Sequence, residues 1–335
     1  MQAAQNTYEV AMRRAVVLAA QGAGRTGSNP VVGAVILDSN GSIVAEGFHA
    51  GGDHAEVVAI KAAKEIPAHA TIVVTLEPCN HTGKTGPCTE AIIDAGIKRV
   101  VYAVTDPNPI AAGGRARLEA AGIEVIHGVV ENEARWVNRA WLQVQAKRRP
   151  LYIWKVAATL DGKTAAADGT SKWITGEESR AYVTRLRRES DAILVGTGTV
   201  IADDPELVPH DGDSSKNPLR VVVGKRDLSA GAKVLDSQAE TFHHQSRDFN
   251  QLNEALLNKG IKQVLVEAGS ELGTAMFRAN LIDEIVLIQA PTLLGSGRSF
   301  IGDLGIKTLA DRQDLELISH SVLGKDLVTH MKVGK

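Results

Sequence analysis

The sequence predicts two α/β domains in tandem, each a sheet covered by helices. Three observations carry this. The chain has 335 residues, more than one hydrophobic core ordinarily organises. Apolar residues at 44% against 23% charged fit a globular chain rather than a disordered one. Short apolar strand segments alternate with helical ones, and the alternation restarts after the basic stretch 146–150.

The first element is a helix over 7–21, whose period sets Tyr8, Met12, Ala15, Leu18 and Ala19 on one side. Arg13 and Arg14 interrupt its apolar surface, which argues against a signal peptide, and no stretch approaches the roughly 18 apolar residues of a membrane span. A cytoplasmic chain without a membrane partner is expected. Strands 31–38 and 42–49 flank Asn40-Gly41, a hairpin signal. Strands 71–76, 99–105 and 124–127 alternate with helices 55–65, 89–95, 115–121 and 131–145. Gly96 and Gly122 follow two of these helices, as C-terminal stops often do. Residues 1–146 thus form a first domain with a mixed sheet, 147–150 a linker ending in Pro150, and 151–335 a second domain. There, strands 151–158, 192–195, 219–223, 263–267 and 284–290 alternate with helices 177–189, 249–259 and 270–278. The polar run 211–217 reads as a surface loop.

The net charge of −2 gives no sign of a nucleic-acid surface, though a few local Arg or Lys residues could hold a small anionic substrate. Only two cysteines occur, Cys79 and Cys88. They could be reduced buried thiols, a disulfide or metal ligands, and nothing suggests the oxidising compartment that a disulfide needs. Their neighbours decide for a metal. His54-Ala55-Glu56 sits where Gly51-Gly52 runs into a helix, with Asp53 as its expected N-cap. Each Cys follows a Pro, which suits a helix start, where the thiolate is favoured. Two thiolates and one imidazole neutralise Zn2+ and leave a fourth position for water, as catalytic zinc requires. Glu56 is placed to carry the proton without binding the metal. The pattern follows the known H-x-E…P-C-x-x-C signature of zinc nucleobase deaminases, but with eight residues between the cysteines instead of two.

The string Thr75-Leu-Glu-Pro-Cys-Asn-His-Thr-Gly-Lys-Thr-Gly-Pro-Cys88 resembles the deaminase half of the bacterial riboflavin-biosynthesis deaminase/reductases, whose habit is this longer spacing. Asn29-Pro-Val-Val-Gly33 and Asp106-Pro-Asn-Pro109 fit the same family. So do Lys155-Val-Ala-Ala-Thr-Leu-Asp-Gly162, Ser171-Lys-Trp-Ile-Thr175 and Gly196-Thr-Gly-Thr-Val-Ile-Ala-Asp-Asp-Pro205 in the second half, with Glu267-Ala-Gly-Ser270 and Pro291-Thr-Leu-Leu-Gly295. The resemblance implies a cytidine-deaminase-like three-layer domain followed by a dihydrofolate-reductase-like α/β domain. It implies phosphoribosylaminopyrimidine substrates, zinc, NADPH and self-association through the reductase half.

For the deaminase, the resemblance assigns Asn29 and His49 to the substrate and Lys84 to its phosphate. For the reductase, it assigns cofactor contacts to Ala157, Trp173, Thr199, Asp203 and the loop Gly269, Ser270, Glu271, Leu272 and Gly273. Substrate contacts fall on Lys155, Asp161, Ser171, Arg187, Leu207 and Glu267. Two positions depart from the family habit. His210 stands where an Arg is common, a weaker and pH-sensitive phosphate partner. Gly224-Lys225 stands where Asp followed by Ser or Thr is usual. No G-x-G-x-x-G follows an early strand, which argues against a Rossmann domain. Two other readings stay open: a zinc deaminase of another nucleotide or nucleoside with a noncatalytic second domain, and a structural zinc with His81 as fourth ligand.

Overall fold

The computed structural model describes residues 2–82, 86–213 and 217–334, with side chains from residue 5 onward. The chain divides into two compact units, Met1–Arg148 and Arg149–Lys335. Arg149 belongs wholly to the second: its guanidinium is buried against Asp283 at 2.7 and 2.8 Å.

The first unit opens with α1 (Gln2–Ala20), then β1 (Gly33–Leu37), β2 (Ile43–Phe48), α2 (Ala55–Ala62), β3 (Thr71–Leu76), α3 (Cys88–Asp94), β4 (Arg99–Val104), α4 (Gly114–Ala120), β5 (Glu124–His127), α5 (Glu131–Val137) and α6 (Arg139–Lys147). Its sheet has the order β2-β1-β3-β4-β5. The pairings of β1 are antiparallel and those of β3–β4–β5 parallel, so the sheet is mixed as expected. Strands β1 and β3 are buried along their whole length, because helices cover both faces. Met12 and Ala15 of α1 are fully buried in that core, on the side the helical period indicated.

Three local expectations fail here. The single helix over 131–145 is two, α5 and α6, broken at Asn138. The buried Asn138 side chain accepts from Val31 N–H and donates to Val31 C=O, at 2.9 and 2.7 Å. Asp53 does not cap α2: His54 occupies the cap position, and the Asp53 carboxylate pairs with Lys61 at 2.6 Å. Cys79 lies in the turn after β3 rather than at a helix start; only Cys88 opens a helix.

The second unit runs β6 (Leu151–Thr159), β7 (Lys163–Ala165), α7 (Glu177–Arg188), β8 (Ala192–Gly196), α8 (Thr197–Asp203), β9 (Leu219–Val223), β10 (Thr241–His244), α9 (Phe249–Asn258), β11 (Gln263–Val266), α10 (Ser270–Arg278), β12 (Ile282–Ala290), β13 (Arg298–Ser299), β14 (Leu315–Leu323) and β15 (Asp326–Val333). Its main sheet has the order β10-β9-β8-β11-β6-β12-β15-β14, parallel from β10 to β12 and antiparallel beyond. β7 and β13 form a separate antiparallel pair. The first strand, β6, therefore sits between β11 and β12 in the middle of the sheet. The N-terminus of α7 is capped from far along the chain: Asp326 accepts from Gly176 N–H at 2.7 Å and from Ser179 Oγ at 2.6 Å. Among the described residues, no helix is long and apolar enough to cross a membrane.

Candidate active sites

In the first unit, α2 and the turn after β3 converge with the start of α3. His54 Nδ1 lies 3.2 Å from Cys88 Sγ and 3.5 Å from Cys79 Sγ. The three donor atoms all lie within 4.8 Å of one another, and among the described residues no other side chain joins the cluster. A tetrahedral zinc with ordinary Zn–S and Zn–N bonds sets its donors roughly 3.5 to 3.8 Å apart, so spacing and donor chemistry both fit zinc. The hydrogen bond between the two thiols draws Cys79 well below the usual thiol range, and Cys88 is pushed up by the same contact. Cys79 Sγ also accepts from the backbone N–H of Cys88 at 3.5 Å.

Glu56 lies in the first turn of α2 and is 4% exposed. Burial pushes its carboxyl up to about 7, near the value that suits a proton carrier at neutral pH. A cavity of about 630 Å³ opens onto this group and is lined by Asn29, His49, His54, Glu56 and Cys79 among others. Asn29 Nδ2 lies 3.4 Å from His49 Nε2, and His49 Nδ1 lies 3.0 Å from the Asp53 carbonyl. His49 is 3% exposed, with its ring edge-on to His54 at 5.5 Å. Asn29 and His49 thus line the same cavity as His54 and Glu56. Lys84 lies outside the described residues. His81 lines the same cavity but is not in the donor cluster, which removes its reading as a fourth ligand.

In the second unit, Glu267 follows β11, buried between Lys155 of β6 and Arg187 of α7. Lys155 Nζ lies 3.0 Å from its carboxylate, and Arg187 donates through Nε and Nη2 at 2.6 and 3.0 Å. Burial would raise this carboxyl, but Lys155 and Arg187 outweigh it and hold it well below the usual range. The cluster carries two cations and one anion, leaving one positive charge for an anionic ligand. Arg187 also donates to Val208 C=O at 2.9 Å, so most of its fork is spent inside the protein. Its neighbours differ: Arg185 is exposed beside Glu189, and Arg188, 23% exposed, pairs with Asp211.

Asp161 accepts from Thr159 Oγ1 at 2.6 Å and from Gly295 N–H at 2.7 Å, contacts that draw its carboxyl down to about 2. It therefore ties the turn after β6 to the 294–295 loop. A second cavity, of about 990 Å³, is lined by Thr199 and by Gly269, Ser270, Glu271 and Leu272.

Other assigned residues fall elsewhere. Ala157, Trp173, Asp203 and Gly273 are not part of the lining of the second cavity. Trp173 is 71% exposed, under the Arg180 guanidinium at 4.8 Å from its ring, and Ser171 is half-buried two residues before it. Gly273 serves packing: a Cβ there would lie 2.1 Å from the Trp154 ring. The Leu207 side chain is buried in a core with Ile193, Val195 and Val222, so only its backbone is available to a ligand. His210 is exposed and lies 3.9 Å from Glu206.

The RibD C-terminal domain family matches residues 150–329, and the cytidine and deoxycytidylate deaminase zinc-binding region matches residues 5–104. A riboflavin biosynthesis protein RibD of Mycobacterium tuberculosis is 45% identical over 328 residues, covering 96% of each chain. The chain belongs to the RibD family. A RibD of Escherichia coli is 37% identical, covering 96% of this chain and 98% of that one. A Thermotoga maritima diaminohydroxyphosphoribosylaminopyrimidine deaminase/5-amino-6-(5-phosphoribosylamino)uracil reductase superposes with a TM-score of 0.91 at 33% identity, covering 98% of this chain and 99% of that one. As a RibD, the chain is a zinc-type deaminase joined to an NADPH-dependent reductase. The reading of a dead second domain is not favoured.

The deaminase site of this RibD also contains residues that motif reading left unassigned. Asp106 lines the first cavity, and burial pushes its carboxyl up to about 6, with the nearby Glu77 charge adding to the shift. Trp141 of α6 lines it too. Asp106 had a signal, the Asp106-Pro-Asn-Pro109 motif at the carboxyl end of β4; Trp141 had none. Glu77 holds the frame together, accepting from Arg115 N–H at 3.0 Å and Asp106 N–H at 3.3 Å. Beside it, Gly114 is pressed on the zinc loop: a Cβ there would lie 1.9 Å from the Pro78 carbonyl oxygen. Gly114→Ala is therefore expected to displace Cys79, destabilise the first unit by about 1–3 kcal/mol and weaken metal retention. Zinc content after dialysis checks this, and full occupancy would refute it.

Proposed function

We propose that this RibD removes the 2-amino group of 2,5-diamino-6-(5-phosphoribosylamino)pyrimidin-4(3H)-one by hydrolysis. It then reduces the ribosyl group of 5-amino-6-(5-phosphoribosylamino)uracil to ribityl. The observation that carries the reading is the convergence of His54, Cys79 and Cys88 beside the buried Glu56. In the first step, His54, Cys79 and Cys88 hold the metal. Zinc, when bound, supplies the Lewis acidity that makes water nucleophilic near neutral pH. Glu56 takes the proton from the attacking water and delivers it to the departing amine, so that water enters and ammonia leaves. Asn29 and His49 orient the pyrimidine, with its carbon between two ring nitrogens turned to Glu56, and Lys84 takes the phosphate.

In the second step, bound NADPH would supply hydride to C1′ of the ribosyl group while the C1′–O4′ bond opens and O4′ takes a proton from solvent, leaving NADP+ and the ribityl chain. Thr199 and the 269–272 loop cradle the cofactor, with Ala157, Trp173 and Asp203 as further contacts. Lys155, Asp161, Ser171, Arg187 and Glu267 face the substrate, together with the Leu207 backbone and His210. The net positive charge of the Lys155–Glu267–Arg187 cluster supports an anionic ligand there. We place the enzyme in the cytoplasm, where Cys79 and Cys88 stay reduced. Self-association through the reductase half is supported by the open edge strand β14, which leaves Leu317 and Val322 exposed.

The test is turnover of the diamino substrate with and without NADPH, both products followed by mass. Without NADPH the deaminated uracil is expected to accumulate; with it, the ribityl product. Cys88→Ala is expected to lose zinc and deamination together and to keep reduction of supplied uracil. A variant that lost zinc yet still deaminated would overturn the first step.

A further inference from the structure

The 990 Å³ cavity of the reductase unit is lined by four cations, Lys225, Arg226, Arg247 and Arg298, against one carboxylate, Glu271. Surface cations elsewhere in this unit are commonly paired, as in Arg188–Asp211, Lys233–Glu206 and Lys259–Glu240. Among the described residues, none of these four has a carboxylate within ion-pair distance. Unbalanced positive charge around a concavity raises the local concentration of anions.

Their order along the sheet says which anion. The strands run β10-β9-β8-β11, all parallel, and the cavity lies beyond their carboxyl ends. That is where open α/β sheets seat ligands. Arg247 follows β10, Lys225 and Arg226 follow β9, Thr197–Thr199 follow β8, and Gly269–Leu272 follow β11. The Lys155–Glu267 pair lies at the β6–β11 end of the same row. Three strand spacings, about 14 Å, separate β11 from β10. An extended dinucleotide spans that distance, whereas the substrate's own phosphate is only a ribose away from its ring. Were the reacting ring to sit near Glu267 and the pyrophosphate beside the glycine-bearing turns, the far ribose would fall among the cations of β9 and β10.

The 224–226 turn is held in place. Gly224 N–H donates to His244 C=O at 3.1 Å, and Gly224 C=O lies 2.9 Å from His243 Nε2. Arg226 Nε reaches Thr197 Oγ1 at 3.4 Å, and its Nη2 lies 2.8 Å from where a Cβ on Gly198 would stand. The guanidinium is therefore already over the turn that follows β8.

We propose that Lys225, Arg226 and Arg247 clamp the 2′-phosphate of the NADPH adenosine ribose and thereby set the preference for NADPH over NADH. Arg298, carried by β13 rather than by the strand-end row, is not part of the clamp. Two planar guanidinium forks and one ammonium match a phosphate monoester of nearly two charges. NADH offers the same three groups only a neutral hydroxyl.

The inference rests on the NADPH reading above, and direct titration separates the two. The full chain is titrated calorimetrically with NADPH and with NADH, then again as the triple variant Lys225→Gln, Arg226→Gln, Arg247→Gln. The expected result is a roughly 30- to 100-fold weaker NADPH Kd with NADH changed by less than about threefold. The single variants Lys225→Gln and Arg247→Gln are expected to give smaller losses of the same sign. Retained NADPH affinity overturns the clamp, as does equal loss of both nucleotides in the triple and single variants. A raised KM for the pyrimidine substrate with NADPH Kd unchanged also overturns it, by assigning the cations to the substrate phosphate. Each of these leaves the reductase reading intact, whereas a wild-type chain that binds neither nucleotide overturns both.

Discussion

Glu56→Gln is expected to retain zinc and lose about 10²- to 10⁴-fold of deaminase turnover, the range a positioned proton carrier contributes. The substitution keeps the shape of the side chain and its capacity to accept a hydrogen bond, and removes its ability to take up and release a proton near neutral pH. The residue is 4% exposed, and its burial already favours the uncharged carboxyl, so a neutral amide is tolerated there. His54, Cys79 and Cys88 contribute the donors, and none of them changes. Metal content by atomic absorption, deaminated product by mass and NADPH oxidation with supplied uracil form the set of measurements. Zinc and reduction should match wild type. Deamination at the wild-type rate would remove Glu56 from the chemistry.

Glu267→Ala has the largest expected effect on stability. It removes the one anion between Lys155 and Arg187, whose side chains are only 16% and 14% exposed. Two buried cations are then left facing each other. Deleting one partner of such a cluster costs about 3–5 kcal/mol, far more than the intact cluster contributes relative to apolar packing. Glu267→Gln should fall between, since the amide oxygen still accepts while the charge is gone. The Glu267 carboxyl is held below the usual range, so its contribution is complete above the ordinary carboxylate pKa. It fades only as pH falls through the lower folded value. Denaturant unfolding of the second unit at neutral pH measures the loss; a change within about 0.5 kcal/mol would mean that water already screens the cluster.

Much of this architecture was legible where the signals are local. The bounds of β3, β5, β9 and α10 coincide with the segments read from the sequence, because each is a run with clear turn or glycine boundaries. What was illegible depends on distant partners. The break at Asn138 exists because its amide meets Val31, 107 residues earlier, and no local periodicity encodes that. The hairpin β14–β15 was missed because β14 is exposed along nearly its whole length and so leaves no apolar stripe. At the sites, the zinc trio was legible from motif spacing. Among the three neighbouring arginines of α7, only the contact with Glu267, 80 residues on, distinguishes Arg187. Resemblance named Arg187 and Glu267 but not that they are salt-bridged to each other. It also named Gly273 as a cofactor contact, where the demand comes from the Trp154 ring.

The placement of β6 has a consequence for how the polypeptide matures on the ribosome. Every strand of the first unit finds its neighbours within residues 33–127, so that half can acquire its tertiary structure while the second is still being synthesised. The second half has no such option. Its earliest strand must wait for β11 and β12 on either side, and α7 waits for Asp326 to close its open end. During that interval a largely apolar strand edge lies unprotected, which makes the reductase half the part more exposed to aggregation.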